Sequence, residues 1–140
     1  MNDIETHPLS PFLPHNAKLL MLGSFPPPQN RWKMDFYYPN YQNDMWRIFG
    51  LIFFEDKNYF LDLPNKCFKE QKIRDFLTEI GIAIFDTAYQ VKRLQGNASD
   101  KFLDLSDYGR SFGRFFALQL KETRFTPIHV TLLFGFSGLL

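Results

Sequence analysis

The segment that most constrains the fold is a short apolar run that ends abruptly in a turn. Residues 19–22 read Leu-Leu-Met-Leu, and the run breaks at Gly23-Ser24-Phe25-Pro26. An uninterrupted apolar run of this length is typical of a strand that is buried on both faces, as in a parallel sheet. Proteins of the α/β class place ligands just outside the carboxyl end of such a strand. The sequence therefore predicts an α/β fold with a functional loop after Gly23.

The loop that follows, residues 24–42, carries more aromatic surface than a connection needs: Trp32, Phe36, Tyr37, Tyr38 and Tyr41. Loops longer than about a dozen residues are usually functional or disordered, and disordered segments are poor in aromatics. The composition therefore favours a binding site. A nucleotide-phosphate loop is not expected, because Pro26-Pro27-Pro28 lacks three backbone donors.

Two helices and a second strand are predicted after the loop. Asn43 is a good N-cap for a helix whose apolar face holds Met45, Trp46, Phe49, Ile52 and Phe53. A second helix over 69–80 has apolar residues at i, i+3, i+4 and i+7, and Gly81 ends it in the C′ position. Ile82–Phe85 is the next strand, with Asp86 at its carboxyl end. A helical crossover joins the two strands, so we expect them to be adjacent, parallel and central.

Composition limits the function classes. A chain of 140 residues is the size of one domain, and a net charge of +1 carries no global signature of a nucleic-acid binder. The one cysteine, Cys67, cannot form an internal disulfide, and the amino terminus lacks a signal-peptide pattern, so we expect a cytoplasmic protein. No apolar segment is long enough for a membrane span. Because the His residues and Cys67 have no ligand spacing, no metal or other cofactor is expected.

Several motifs, taken together, resemble the uracil-DNA glycosylase superfamily, and in particular its hypoxanthine-DNA-glycosylase-like branch. The motifs are Gly23-Ser24-Phe25-Pro26 after a strand, then Tyr37-Tyr38, then Asn43 with Trp46 three residues on. A second similar patch comprises the strand 81–86, Lys92-Arg93 and the polar segment 96–100. The resemblance covers about residues 17–105. It implies a three-layer sandwich with a central parallel sheet, and a monomeric, monofunctional enzyme that excises uracil or hypoxanthine from DNA.

The resemblance also implies roles for individual residues. Asn43 is the catalytic candidate, which would orient the attacking water; the alternative is a helix cap worth about 1 kcal/mol. The base-binding candidates are Gly23, Ser24, Phe25, Tyr37 and Tyr38. Phe25 would stack on the flipped base, as aromatic residues do for unstacked bases; the alternative is a ring packed under its own loop. Lys92 and Arg93 are candidates for contacts with the DNA backbone, although most such pairs are simply solvated.

The amino- and carboxyl-terminal segments fit the resemblance less well. Residues 1–16 are predicted to form an extended arm, and 17–105 the glycosylase-like core of a single domain spanning 1–140. Residues 106–140 lack the superfamily's late DNA-binding loop and end on an apolar run. We expect an incomplete, divergent or truncated carboxyl-terminal part, loosely packed, with weak activity. Two alternatives therefore stay open: an inactive remnant or non-catalytic nucleic-acid-binding protein, and a small-molecule-binding α/β domain unrelated to DNA.

Overall fold

A computed structural model describes residues 4–23 and 25–93, together with the strand residues 103–104 and 129–132. It shows a mixed α/β fold with small sheets and two α-helices. The strands are β1 (Ile4–Thr6), β2 (Leu19–Gly23), β3 (Leu61–Asp62), β4 (Cys67–Phe68), β5 (Ile82–Asp86), β6 (Gln90–Arg93), β7 (Leu103–Asp104) and β8 (His129–Leu132). The helices are α1 (Met45–Phe54) and α2 (Glu70–Ile80), and a 3₁₀ turn spans Gln29–Arg31.

One sheet is parallel and has the order β5-β2-β8. β2 and β5 pair in register from Leu19 with Ile82 to Gly23 with Asp86. The predicted adjacent, parallel pairing of these strands is therefore confirmed. β2 is the middle strand of this sheet. β5 lies beside it, and on the far side of β5 Ile84 forms two antiparallel backbone hydrogen bonds with Phe12. The expectation that both strands are central is thus right for β2 only.

β8 pairs in parallel with β2 on its other side. β8 lies within the apolar run near the carboxyl terminus. The prediction of loose packing for residues 106–140 otherwise lies outside the described residues.

The second three-stranded sheet has the order β1-β6-β7 and is antiparallel. β1 pairs with β6 over Ile4–Thr6, so the predicted arm supplies an edge strand. β3 and β4 form a short hairpin within the region between the helices.

The helices bury their apolar sides against the parallel sheet. In α2, Ile73 and Leu77 are fully buried, and Gly81 follows with a left-handed φ of 82°, as the C′ prediction requires. In α1, Met45 and Trp46 are buried but Ile52 is 67% exposed, so the predicted apolar face is only partly covered. In the described part of the chain, neither helix is long and apolar enough to cross a membrane.

Candidate functional site

The carboxyl ends of β2 and β5 meet at Gly23 and Asp86, which are partners in the sheet register. The Thr87 N–H donates to the Gly23 carbonyl at 2.7 Å, which holds the two exits together. A Cβ added at Gly23 would overlap Oδ1 of Asp86 and would lie 3.1 Å from the Tyr38 hydroxyl. Glycine is therefore required here, because Asp86 approaches the Gly23 backbone too closely for a side chain. Gly23, Tyr38 and Asp86 lie together at one edge of the sheet.

A buried histidine from the amino-terminal arm closes this edge. Nε2 of His7 lies 2.8 Å from Oδ2 of Asp86, and the two side chains are 0% and 8% exposed. A carboxylate only accepts hydrogen bonds, so Nε2 carries the proton in this pair. Nδ1 lies 3.0 Å from the Leu9 carbonyl oxygen and 3.1 Å from the Leu9 nitrogen, and the His7 backbone N–H donates to the Tyr89 carbonyl at 2.7 Å. The arm is thereby fixed to the end of β5.

Aromatic rings surround the His7 imidazole. Its centroid lies 4.9 Å from Phe85, 5.3 Å from Phe25 and 6.0 Å from Tyr37, with the Phe25 contact edge-on. The Tyr37 hydroxyl donates to the Ser10 carbonyl at 2.8 Å. Burial raises the pKa of Tyr37 well above its ordinary value of 10.0, and the Asp86 carboxylate adds to the rise. Tyr37 is therefore a neutral donor that ties the arm to the aromatic loop.

Tyr38 and Trp46 pack against each other behind this edge of the sheet. Tyr38 has a left-handed φ of 53°, which turns its ring toward Trp46, at 6.0 Å and near-perpendicular. Trp46 is fully buried, and its Nε1–H donates to the Tyr37 carbonyl at 3.0 Å. Trp46 thus belongs to the core, as its position on the apolar helix face predicts. It also fixes the backbone of the Tyr37–Tyr38 pair.

Phe25, the predicted stacking residue, is itself largely covered. It is 8% exposed and forms a small core with Ala88 and Val91. The rest of its ring lines a surface groove of about 400 Å³ between the arm and the triproline segment. The groove is lined by Glu5, Thr6, Pro8, Phe25, Pro26, Pro27, Pro28 and Gln29. In this conformation only a margin of the ring is available to a ligand.

Arg93, a predicted phosphate contact, is bound within the protein. Its Nε and Nη2 donate to the two carboxylate oxygens of Glu5 at 2.8 and 3.0 Å. Nη2 also donates to the Pro26 carbonyl at 3.1 Å, and the guanidinium lies 5.8 Å from the centroid of the Phe25 ring. The Arg93 side chain is 7% exposed, against 42% for Glu5. Lys92 is half-buried on the same strand.

Asn43 lies at the start of α1, where its Oδ1 accepts from the Met45 N–H at 2.8 Å. The residue before the first helical one is Asp44, whose carbonyl accepts the first helical hydrogen bond, from the Ile48 N–H at 2.8 Å, but whose side chain caps no helix donor. The Asn43 side chain still satisfies a free helix donor. Arg47 donates to the carbonyls of Asn43 and Tyr41, at 3.0 and 2.7 Å, and so fixes this turn.

The structure thus brings most of the predicted residues to one edge. Gly23 and Tyr38 adjoin Asp86, and Phe25 and Tyr37 contact His7. Asn43 does not line the groove that Phe25 lines. Ser24 and the segment 96–100 lie outside the described residues. In the part of the chain that the structure describes, no three His, Cys, Asp or Glu side chains are grouped as a metal site would require.

Two residues of the site, His7 and Glu5, were not predicted. Both lie in the amino-terminal segment, where the sequence shows only scattered prolines and no strand period. Only their partners carried a signal in the sequence: Asp86 ends a buried strand, and Arg93 follows Lys92 in a basic pair. The sequence did not indicate which residues they bind.

Comparison with known proteins shows that this chain is similar in fold to a solved structure. No protein-family model and no curated protein matches the chain. Among solved structures, the chain is similar to the solution NMR structure of a Methanosarcina acetivorans protein provisionally described as a uracil DNA glycosylase, with 20% sequence identity and a TM-score of 0.51. The match covers 97% of this chain and 86% of that one. The fold is therefore similar to a uracil-DNA-glycosylase-like structure.

Proposed function

We propose that the protein is a monofunctional DNA glycosylase that excises a deaminated base, uracil or hypoxanthine. The observation that carries this proposal is the meeting of Gly23, Tyr38, Tyr37 and Phe25 around the buried His7–Asp86 pair at one sheet edge. The likeness of fold supports it. Deaminated bases share a lactam edge, one carbonyl beside one ring N–H, which backbone groups near Gly23 would read. The hypoxanthine-like branch of the superfamily belongs to the same proposal.

The chemistry assigned to the site needs no cofactor. The target base leaves the DNA stack, and its N-glycosidic bond breaks through a sugar cation that water then attacks. An amide is too weak a base to deprotonate water, so Asn43 orients the water and stabilises the cation by its dipole. Phe25 stacks on the base, while Tyr37 and Tyr38 wall the pocket. Lys92 and Arg93 are proposed to meet DNA phosphates.

We infer a three-layer sandwich around the parallel sheet as the complete architecture, in which the protein acts as a cytoplasmic monomer on DNA. The three parallel strands and the α1–α2 crossover between β2 and β5 support this arrangement. Both helices of a crossover pack on one face of the sheet.

The proposal is tested by single-turnover base release from duplexes that contain uracil or hypoxanthine, with protein from a glycosylase-deficient host. Asn43→Ser and Asn43→Ala form the decisive pair. Serine keeps an acceptor for the Met45 N–H, whereas alanine loses it at a cost of about 1 kcal/mol in stability. We expect both variants to lose base release and only Asn43→Ala to lose stability. Full activity of Asn43→Ser would reduce Asn43 to a helix cap.

The second candidate function is non-catalytic nucleic-acid binding. One observation favours it: Asn43, the catalytic candidate, is not among the residues that line the groove beside Phe25. Salt-dependent DNA binding without base release would select this function. Absence of any salt-dependent DNA binding would reject both candidates in favour of a small-molecule-binding domain.

A further inference from the structure

The Glu5–Arg93 pair sits where the two proposed DNA contacts converge. Two N–H groups of the Arg93 guanidinium donate to the Glu5 carboxylate. The same guanidinium lies over the ring of Phe25 and donates to the Pro26 carbonyl. While this pair persists, the two donors of Arg93 that suit a phosphate are bound to Glu5, and the guanidinium covers one side of the Phe25 ring, whose other contacts are His7, Ala88 and Val91. One contact therefore restricts both functions.

The pair has the features of an exchangeable contact. Carboxylate and phosphate both accept two parallel hydrogen bonds from a guanidinium, so one can take the place of the other with the same geometry. The Glu5 side chain is 42% exposed and lies on an edge strand, whereas the Arg93 side chain is 7% exposed. Glu5 is thus the partner that can move into solvent. Glu5 and Phe25 also line the same groove, which gives a strand of nucleic acid access to both.

We propose that Glu5 holds the place of a nucleic-acid phosphodiester on Arg93, and that the exchange opens the Phe25 ring for stacking. When a backbone phosphate takes the guanidinium from Glu5, Arg93 moves off the ring and releases the Pro26 carbonyl. Phosphate binding and base stacking are then coupled. This inference rests on the proposed function for the identity of the stacking base, but its binding step is measurable without catalysis.

The test uses Glu5→Gln in the full chain and an undamaged single-stranded oligonucleotide, with binding followed by fluorescence anisotropy. The matched control is Glu70→Gln, which changes charge equally and breaks another Glu–Arg pair, the 2.8 Å contact with Arg74 on α2. One added phosphate contact steepens the slope of log K against log salt by about 0.7 and tightens binding about fivefold near 0.1 M salt. We expect this for Glu5→Gln and a smaller gain for Glu70→Gln.

Two double variants test the mechanism. Glu5→Gln/Arg93→Gln should lose the gain, because the gain acts through Arg93. Phe25→Ala should weaken binding about fivefold or more in the Glu5→Gln background and much less in the parent, since the ring is covered there. Equal gains in Glu5→Gln and Glu70→Gln, or a gain that survives loss of Arg93, would overturn the proposal. Thermal unfolding of each variant excludes misfolding as the cause.

Two further outcomes separate this proposal from related ones. Inorganic phosphate at constant ionic strength should compete only weakly with the oligonucleotide for Glu5→Gln, because it makes one contact where the strand makes several; full displacement at a concentration equal to that of the oligonucleotide phosphates would reject a nucleic-acid ligand. If the parent releases no base while Glu5→Gln still binds more tightly through Arg93, the glycosylase function fails and the exchange at Arg93 stands. If base release is found without the fivefold gain, the exchange fails alone.

Discussion

Replacing His7 by phenylalanine should destabilise the protein strongly, although the ring is kept. The variant retains the size of the imidazole and its packing against Phe25 and Phe85, so little cavity forms. It removes the 2.8 Å bond to Asp86, which stays in place with a side chain that is 8% exposed. The change therefore leaves that carboxylate without its buried partner, and it also removes the contact of Nδ1 with the Leu9 backbone.

Breaking a buried pair by removing one partner costs about 3–5 kcal/mol. The residual exposure of Asp86 lets some water reach the carboxylate, so we expect about 3 kcal/mol. With an m-value of about 1.5 kcal/mol per molar urea, the midpoint of unfolding would fall by about 2 M. Total stabilities of small domains are about 5–15 kcal/mol, so the loss is a large fraction of the whole.

Urea unfolding followed by tryptophan fluorescence measures this effect. His15→Phe is the matched control, because His15 is exposed and its replacement should change stability by less than about 0.5 kcal/mol. A cycle that adds Asp86→Asn should recover about 1–3 kcal/mol, since the unpaired charge is gone. A loss below about 1 kcal/mol in His7→Phe at unchanged m-value would show that the pair does not hold the arm in place.

Two further predictions concern the same edge. Gly23→Ala should cost about 1–3 kcal/mol by urea unfolding, because the new methyl would overlap Asp86 Oδ1, which the His7 bond keeps from moving; a neutral substitution would contradict the close approach. Unfolded tyrosine loses its proton near pH 10, whereas folded Tyr37, with its raised pKa, keeps it. Stability from this group is therefore present below pH 10 and decreases above it, by up to about 1.4 kcal/mol per pH unit. Tyr37→Phe should remove this part of the alkaline slope, and an unchanged slope would contradict the burial argument.

The sequence predicted the parts of the fold that depend on neighbouring residues. The apolar runs that become β2 and β5, the helix ended by Gly81, and the parallel crossover all follow from local periodicity and chain connectivity. The two-residue strands β3 and β4 carry too little pattern to be recognised. At α1 the capping hydrogen bond comes from Asn43, as predicted, although the helix itself begins one residue later than that position implies.

The site was harder to predict because its contacts are remote in sequence. His7 and Asp86 are 79 positions apart, and Arg93 and Glu5 are 88 apart. A lone histidine in a segment with several prolines has no period that indicates its partner. The burial of Phe25 has the same origin, since its neighbours His7 and Val91 come from opposite ends of the described core. Local chemistry indicated which edge of the sheet carries the candidate site, and tertiary pairing decided which side chains are exposed there.

The long separation between His7 and Asp86 also sets the order in which the molecule can assemble during its synthesis. At about 5–20 residues per second, the ribosome adds the 79 intervening positions in about 4–16 s, so the arm waits for its partner during that time. α1 and α2 depend on local contacts and can form while the arm is still unpaired. The edge that carries the candidate site is therefore the last part of residues 4–93 to close. Until then, the nascent chain presents its future core strands without the arm that will cover them.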